Sequence, residues 1–118
     1  MDQTAWKERI KNACIDVGTY KEPFDAVIET LAGILERRDM AEESFDGQMI
    51  VEHTNRGGSV NKEQNPAIRL VNDLNRDALT YWKELGLTPA GLKRINEAAI
   101  KSDKKESALE KALKTLGS

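Results

Sequence analysis

Lysine and arginine are the residue types in this sequence whose chemistry and spacing could serve a binding function. Lys93 and Arg94 are adjacent, Lys101 follows Arg94 by seven residues, and Arg56 precedes a pair of glycines. Lysine and arginine side chains that align along a duplex bind its phosphates, and the affinity then falls as the salt concentration rises. We therefore predict that Lys93, Arg94 and Lys101 form a weak, non-specific phosphate-binding patch, and that Arg56 could reach a phosphate from a separate glycine-bearing turn. The alternative is that they are ordinary solvated side chains.

Groups suited to catalysis or metal binding are sparse. The single cysteine, Cys14, falls on the apolar line of a predicted helix, where a buried structural thiol is the favoured interpretation. The one histidine, His53, cannot make a metal site by itself. The sequence has no glycine-rich phosphate loop with a lysine, and its acids occupy ordinary surface positions on helices. We predict that the protein is not an enzyme and uses no cofactor or metal.

Composition sets the class of protein. The 118 residues are 32% charged and only 5% aromatic, a balance that favours one mainly α domain. The net charge of −2 gives no global signature of nucleic-acid binding. A single cysteine fits a reducing compartment, the N-terminus lacks the apolar run of a signal peptide, and no stretch is long enough to span a membrane. We expect a soluble cytoplasmic protein.

The stretch from residue 65 to residue 94 organises the chain. Asn65 and Pro66 suit the N-cap and first position of a helix, and Gly86 suits its end. Thr88 and Pro89 then begin another helix, which predicts a helix–turn–helix-like corner. Between them, apolar residues repeat every seven positions along a seam that would pack on another helix: Ala67, Val71, Leu74, Ala78, Tyr81 and Leu85.

The remaining elements follow from periodicity and turn residues. We predict a helix at 4–17, a second from about 23 to 46, a β-hairpin at about 49–62 and, after a polar break at 99–103, a last helix beginning at Asp103. The fold would be a helical hairpin core of the helices at 23–46 and 65–85, with the short β-hairpin and a peripheral C-terminal helix. Within one domain, 1–118, residues 1–20 would be an N-terminal helix, 21–100 the core and 101–118 a helix or tail.

Both helices of the predicted hairpin have apolar stripes wider than one small partner needs. We therefore expect them to carry contacts between subunits as well as the core. The candidate oligomerisation residues are Leu31, Leu35, Val71, Leu74, Ala78 and Trp82.

Several short segments of the sequence, taken in their order and spacing, resemble those of the phage terminase small subunit family. They are GTYKEPFDAVIETLAGIL at 18–35, the Gly57-Gly58 turn, KEQNPAIRL at 62–70, and KELGLTP at 83–89 followed by Lys93 and Arg94. The resemblance covers about three-quarters of the chain. It implies an all-α core with a short hairpin, assembled as a homo-oligomeric ring in the host cytoplasm. Such a ring would bind double-stranded viral DNA and hand it to the terminase large subunit, which holds the ATPase and nuclease.

Two features depart from that family's pattern. Leu92 stands where family members usually have a basic residue, and residues 1–20 offer one amphipathic helix where many members have a separate DNA-binding domain. Two other functions remain open. A helix-turn-helix regulator would use the corner at 86–90, although that corner offers only the Thr88 hydroxyl to bases. A protein-interaction scaffold would not bind DNA at all. A dimer would favour the regulator, and a large closed ring the terminase.

Overall fold

The computed structural model describes residues 1–116, which form four helices and one β-hairpin. The elements are α1 (Gln3–Val17), a 3-10 turn (Glu22–Phe24), α2 (Asp25–Ser44), β1 (Ile50–Thr54), β2 (Val60–Gln64), α3 (Pro66–Glu84) and α4 (Pro89–Leu116). The mainly α fold with a short β-hairpin is therefore confirmed. Its organisation as a single domain in three segments stays a prediction.

The Asp39 carboxylate on α2 joins this helix to α1 and the N-terminal amine. Asp39 accepts a hydrogen bond of 2.7 Å from the Trp6 indole N–H, and the Met1 ammonium lies 3.1 Å from the same oxygen. Arg9 and Arg38 each lie 5.5 Å from the centre of the Trp6 ring. Partial burial raises the pKa of Asp39, but the hydrogen bonds from Trp6, Arg38 and the N-terminal amine outweigh it and hold the pKa below its ordinary value. The ionised form of Asp39 is therefore built into the α1–α2 contact.

Helices α2 and α3 form an antiparallel hairpin. The Arg38 guanidinium in the second half of α2 donates to Asn75 near the middle of α3 at 3.4 Å, and Phe45 after α2 lies beside Ile68 at the start of α3. At the other end, the buried Thr19 hydroxyl donates to the Leu85 carbonyl at 2.8 Å. Between these points lies the core, which α1, α2 and α3 share: Ile10, Cys14, Ile28, Leu31, Ala32, Ile34, Leu35, Leu74, Ala78 and Leu85.

The β-hairpin forms the connection between α2 and α3, at the end of the helical pair where α2 ends and α3 begins. Its strands pair antiparallel from Ile50 opposite Gln64 to Thr54 opposite Val60. Asn65 fixes it to α3, because its side-chain amide donates to the Gln48 carbonyl at 2.8 Å while its side-chain oxygen accepts from the Ala67 N–H. Ile50 and Val60 are 60% and 57% exposed, so the hairpin projects from the core and is not packed on it.

The corner between α3 and α4 has the predicted form. The Gly86 N–H donates to the Lys83 carbonyl and the Leu87 N–H to the Trp82 carbonyl, with Gly86 at a φ of 73°. The Thr88 hydroxyl caps α4 by accepting from the Gly91 N–H at 3.0 Å. The corner is therefore fixed by local hydrogen bonds at both helix ends.

Helix α4 is continuous, so the predicted break at 99–103 is wrong. Asp103 and Glu106 lie inside the helix and are not its cap. Between Gly91 and Gly117 the sequence has neither glycine nor proline, and it is rich in alanine, lysine, glutamate and leucine. One aspartate and one serine cost a helix well under 1 kcal/mol each, which these strong helix formers outweigh.

The chain is elongated. Its Cα radius of gyration is 22.8 Å, whereas a compact chain of this length has about 13.5 Å. The longest principal-axis extent is 89 Å. A hairpin of five-residue strands, α3 and α4 laid end to end would span about 87 Å at standard rises per residue. Helix α4 therefore continues away from the core at the end opposite the hairpin.

Candidate nucleic-acid interface

Helix α4 has a net positive charge, whereas the rest of the sequence has a net negative charge. Its residues include seven bases and four acids, a net charge of +3. The rest of the sequence has eleven bases and sixteen acids, a net charge of −5. Every residue from 96 to 116 is exposed. The most cationic element is thus also the one that stands clear of the core.

Continuity of α4 aligns cations that a broken helix would have scattered. At 100° and 1.5 Å per residue, Arg94 and Lys101 lie about 20° apart around the axis and about 10.5 Å apart along it. We call the residues that share this sector of about 120° the basic face of α4: Lys93, Arg94, Lys101, Lys104, Lys105 and Lys111. The last three were not among the four candidate residues.

Two members of the basic face have acidic neighbours. The Lys93 ammonium lies 4.0 Å from the Glu97 carboxylate, and the Arg94 guanidinium lies 3.3 Å from Glu84 at the end of α3. Both cations are exposed, at 77% and 53% of their side-chain surface. Exposed ion pairs of this kind contribute at most about 1 kcal/mol, so a phosphate could replace either carboxylate.

Arg56 lies apart from this group. It is exposed at the tip of the hairpin, beyond the start of α3, whereas α4 begins beyond the end of α3. The 19 residues of α3 separate the two by about 28 Å before the hairpin is counted. Within one protomer, the structure therefore brings Lys93, Arg94 and Lys101 onto one helix but does not bring Arg56 to them.

The candidate oligomerisation residues divide into two groups. Leu31, Leu35, Leu74 and Ala78 are buried in the core of one protomer, where at most 8% of the surface of each is exposed. Val71 and Trp82 are half-buried at its edge and remain accessible. The apolar stripe of α2 is wide because α1 packs on one side of this helix and α3 packs on the other. A role in assembly for any of these residues stays a prediction.

The single cysteine is buried in the core, and the single histidine is exposed on the β-hairpin. Burial raises the pKa of the Cys14 thiol, more than its hydrogen bond with Thr19 lowers it, so a reactive thiolate is disfavoured. The His53 imidazole lies 3.0 Å from the Glu63 carboxylate on the exposed hairpin. Within residues 1–116, no group of three or more histidine, cysteine or acidic side chains is placed to hold a metal ion. In the same part of the chain, no helix has the length and apolar character needed to cross a membrane.

Comparison with known proteins identifies the family of this chain. Residues 3–102 match the model of the family described as phage terminase, small subunit. No curated protein and no solved structure matches the chain. The family match runs from α1 into the first half of α4, which is most of the chain. The protein therefore belongs to the phage terminase small subunit family, which has a role in packaging phage DNA.

Proposed function

We propose that this protein is the DNA-recognition component of a phage packaging motor. It would bind double-stranded viral DNA as a homo-oligomeric ring and hand the DNA to the terminase large subunit. The observation that carries this proposal is the basic face of α4, which extends away from a part of the protein with a net negative charge. The match to the terminase small subunit family supports the same proposal.

Charge distribution supports α4 as the contact. Phosphate binding by lysine and arginine needs no base edges, so a row of exposed cations on one helix is sufficient for non-specific affinity. The net charge of −5 on the rest of the chain disfavours other orientations of the duplex. Each protomer would bind weakly, and repetition of α4 around a ring would raise the affinity without new contacts.

The same family points to a division of labour. The small subunit is generally the non-catalytic component. The ATPase and nuclease activities would then belong to the large subunit, and the complex would act in the host cytoplasm.

A helix-turn-helix regulator is less well supported. Its recognition helix would be α4, whose first turn would have to present polar side chains to base edges. The Thr88 hydroxyl is already engaged by the Gly91 N–H, Gly91 is buried against α3, and Leu92 is half-buried. The first turn of α4 is therefore used to build the corner.

The test is a charge reversal on the basic face. Replacing Lys93, Arg94 and Lys101 together with glutamate should leave helicity unchanged and weaken binding to a random-sequence duplex. The slope of log K against log salt should flatten by about three for each protomer engaged. Fluorescence anisotropy at several salt concentrations measures both quantities.

The matched control reverses three exposed cations elsewhere in the chain, so that its net charge is identical. We choose Lys21, Arg69 and Arg76, none of which lies on α4. The control should keep the salt slope of the parent. If both triple variants lose affinity and slope equally, the effect comes from net charge and α4 is not the contact surface.

A further inference from the structure

The distal part of α4 has an apolar stripe with no partner in its own protomer. Leu109, Leu113 and Leu116 are 62%, 60% and 83% exposed. Their spacing of four and three residues places them within a sector of about 60°, clear of most of the basic face. A helix with such an apolar stripe normally buries it against another surface, because packing of that face supplies most of the stability of a helix.

An apolar notch suited to such a stripe lies at the opposite end of the protomer. It encloses about 200 Å³ between the end of α2 and the start of α3. Phe45, Ile68 and Val71 line it and are half-buried, so their apolar surface is only partly covered. Glu42 and Asn72 form its exposed rim.

A protomer cannot place its own α4 in its own notch. The notch lies at the start of α3, whereas α4 begins after the end of α3 and runs away from it. Leu109 is 20 residues beyond the start of α4, which adds about 30 Å to the length of α3. The 89 Å extent of the chain agrees with this separation. The occupant of the notch must therefore come from another molecule.

Charge favours the notch of a second copy over pairing of one α4 with another. The distal residues 103–116 have four bases and three acids, a net charge of +1, so two such segments would bring like net charges together, whereas the rest of a neighbouring chain outside α4 has a net charge of −5. The acids are also close to the notch, since Glu42 is on its rim and Glu43 and Asp46 are exposed beside it. Lys105 and Lys111 lie on the same part of α4 as the three leucines.

We propose that residues 103–116 of one protomer dock by their leucine stripe into the α2–α3 notch of the next protomer. This contact is heterologous, since two different surfaces meet, and such contacts close into rings when the rotation between copies allows it. The proposal rests on the ring assembly of the proposed function and names a surface for it. Residues 103–116 lie beyond the part of the chain that matches the family.

Cross-linking between two single-cysteine proteins tests the contact directly. In a Cys14→Ala background, one protein carries Ala112→Cys, beside the leucine stripe, and the other carries Asn72→Cys on the notch rim. Mild oxidation of the mixture should give a disulfide-linked pair containing one of each. A chain carrying both cysteines should give a ladder of covalent oligomers. If Ala112→Cys alone cross-links to itself as well as the mixture does, α4 pairs with α4 and the proposal is overturned.

A second measurement does not depend on thiol geometry. Leu113→Ala should weaken assembly by about tenfold to a hundredfold for each contact, as expected for one leucine removed from a buried position. Ile100→Ala is the control, because Ile100 is 55% exposed on the opposite side of α4. Native mass spectrometry over a dilution series measures assembly without DNA. Equal assembly of both variants and the parent would refute the docking. Mixed cross-links without any DNA binding would instead leave the docking intact and refute the proposed function.

Discussion

Replacement of Gly91 by alanine should reveal how closely α4 is held to the end of α3. Gly91 is buried in the first turn of α4, and a Cβ built there would overlap the Lys83 carbonyl oxygen and lie 3.0 Å from the Thr88 hydroxyl. A backbone carbonyl cannot rotate away as a side chain can. The first turn of α4 must therefore shift from α3, which also disturbs the Thr88 cap.

Two opposing effects set the magnitude. Alanine is about 1 kcal/mol more favourable than glycine inside a helix. Overpacking a close contact typically costs about 1–3 kcal/mol, and loss of an N-cap costs about 1 kcal/mol. The clash should win, and we expect a net loss of about 1–3 kcal/mol in the free energy of unfolding.

Gly33→Ala is the matched control, since Gly33 also lies inside a helix. There the nearest atoms to a built Cβ are in the flexible side chains of Gln3 and Arg37, at 3.5 and 3.7 Å. This variant should be more stable than the parent by about 0.5–1 kcal/mol. Urea denaturation at one fixed protomer concentration compares the two, because assembly links stability to concentration. If Gly91→Ala is stabilising like Gly33→Ala, the corner is not closely packed.

Three further predictions concern the core, pH and activity. Leu74→Asp places a charge where the parent side chain is 8% exposed. It should lower the free energy of unfolding by about 3–5 kcal/mol and abolish the cooperative transition in urea. An intact fold would disprove the α2–α3 seam. The pKa of Asp39 is lowered in the folded state. Its contribution to folding stability is therefore fully present above the pKa of an unfolded aspartate, about 3.9, and is lost as the pH falls through the lower pKa of the folded state. Asp39→Asn should therefore flatten stability against pH below about pH 5, and an unchanged acid limb in denaturation curves would argue against it. The protein purified away from any large subunit should hydrolyse neither ATP nor DNA in the presence of Mg²⁺. Phosphate release from ATP, or cleavage of a DNA duplex, would contradict the non-enzymatic role.

Local signals explain why the helix ends could be predicted from the sequence. Asn65 with Pro66, Gly86, and Thr88 with Pro89 each act within one turn, through hydrogen bonds between residues at most five apart. The hairpin was equally local, because the Asn55–Gly58 turn closes by its own contacts. These elements need no tertiary information.

Sequence reasoning was limited where local signals compete or where the partner of a surface matters. Asp103 and Glu106 have the spacing of a capping box, but such a pair caps a helix only if the chain before it is not already helical. Leu31, Leu35, Leu74 and Ala78 had the spacing of an interface, and periodicity alone does not distinguish a helix of the same chain from a helix of another subunit. The placement of α1 against α2 depended on the Trp6–Asp39 contact, which joins residues 33 apart in sequence.

On the proposed function, the position of α4 reconciles an acidic protein with a DNA-binding role. Net charge describes the far field of a molecule, whereas a duplex responds at short range to the cations it touches, since charges are screened beyond about 8 Å at physiological salt. The basic face of α4 runs from Lys93 to Lys111, about 27 Å along the helix axis, and therefore presents its cations beyond the reach of most acids in the core of its own protomer. Its contacts are exposed and individually weak, so many of them can form and break as DNA passes from one protein to another. Gly91 at the corner and the leucine stripe at the far end would then have one shared role, which is to hold this face in the same orientation in every protomer of the ring.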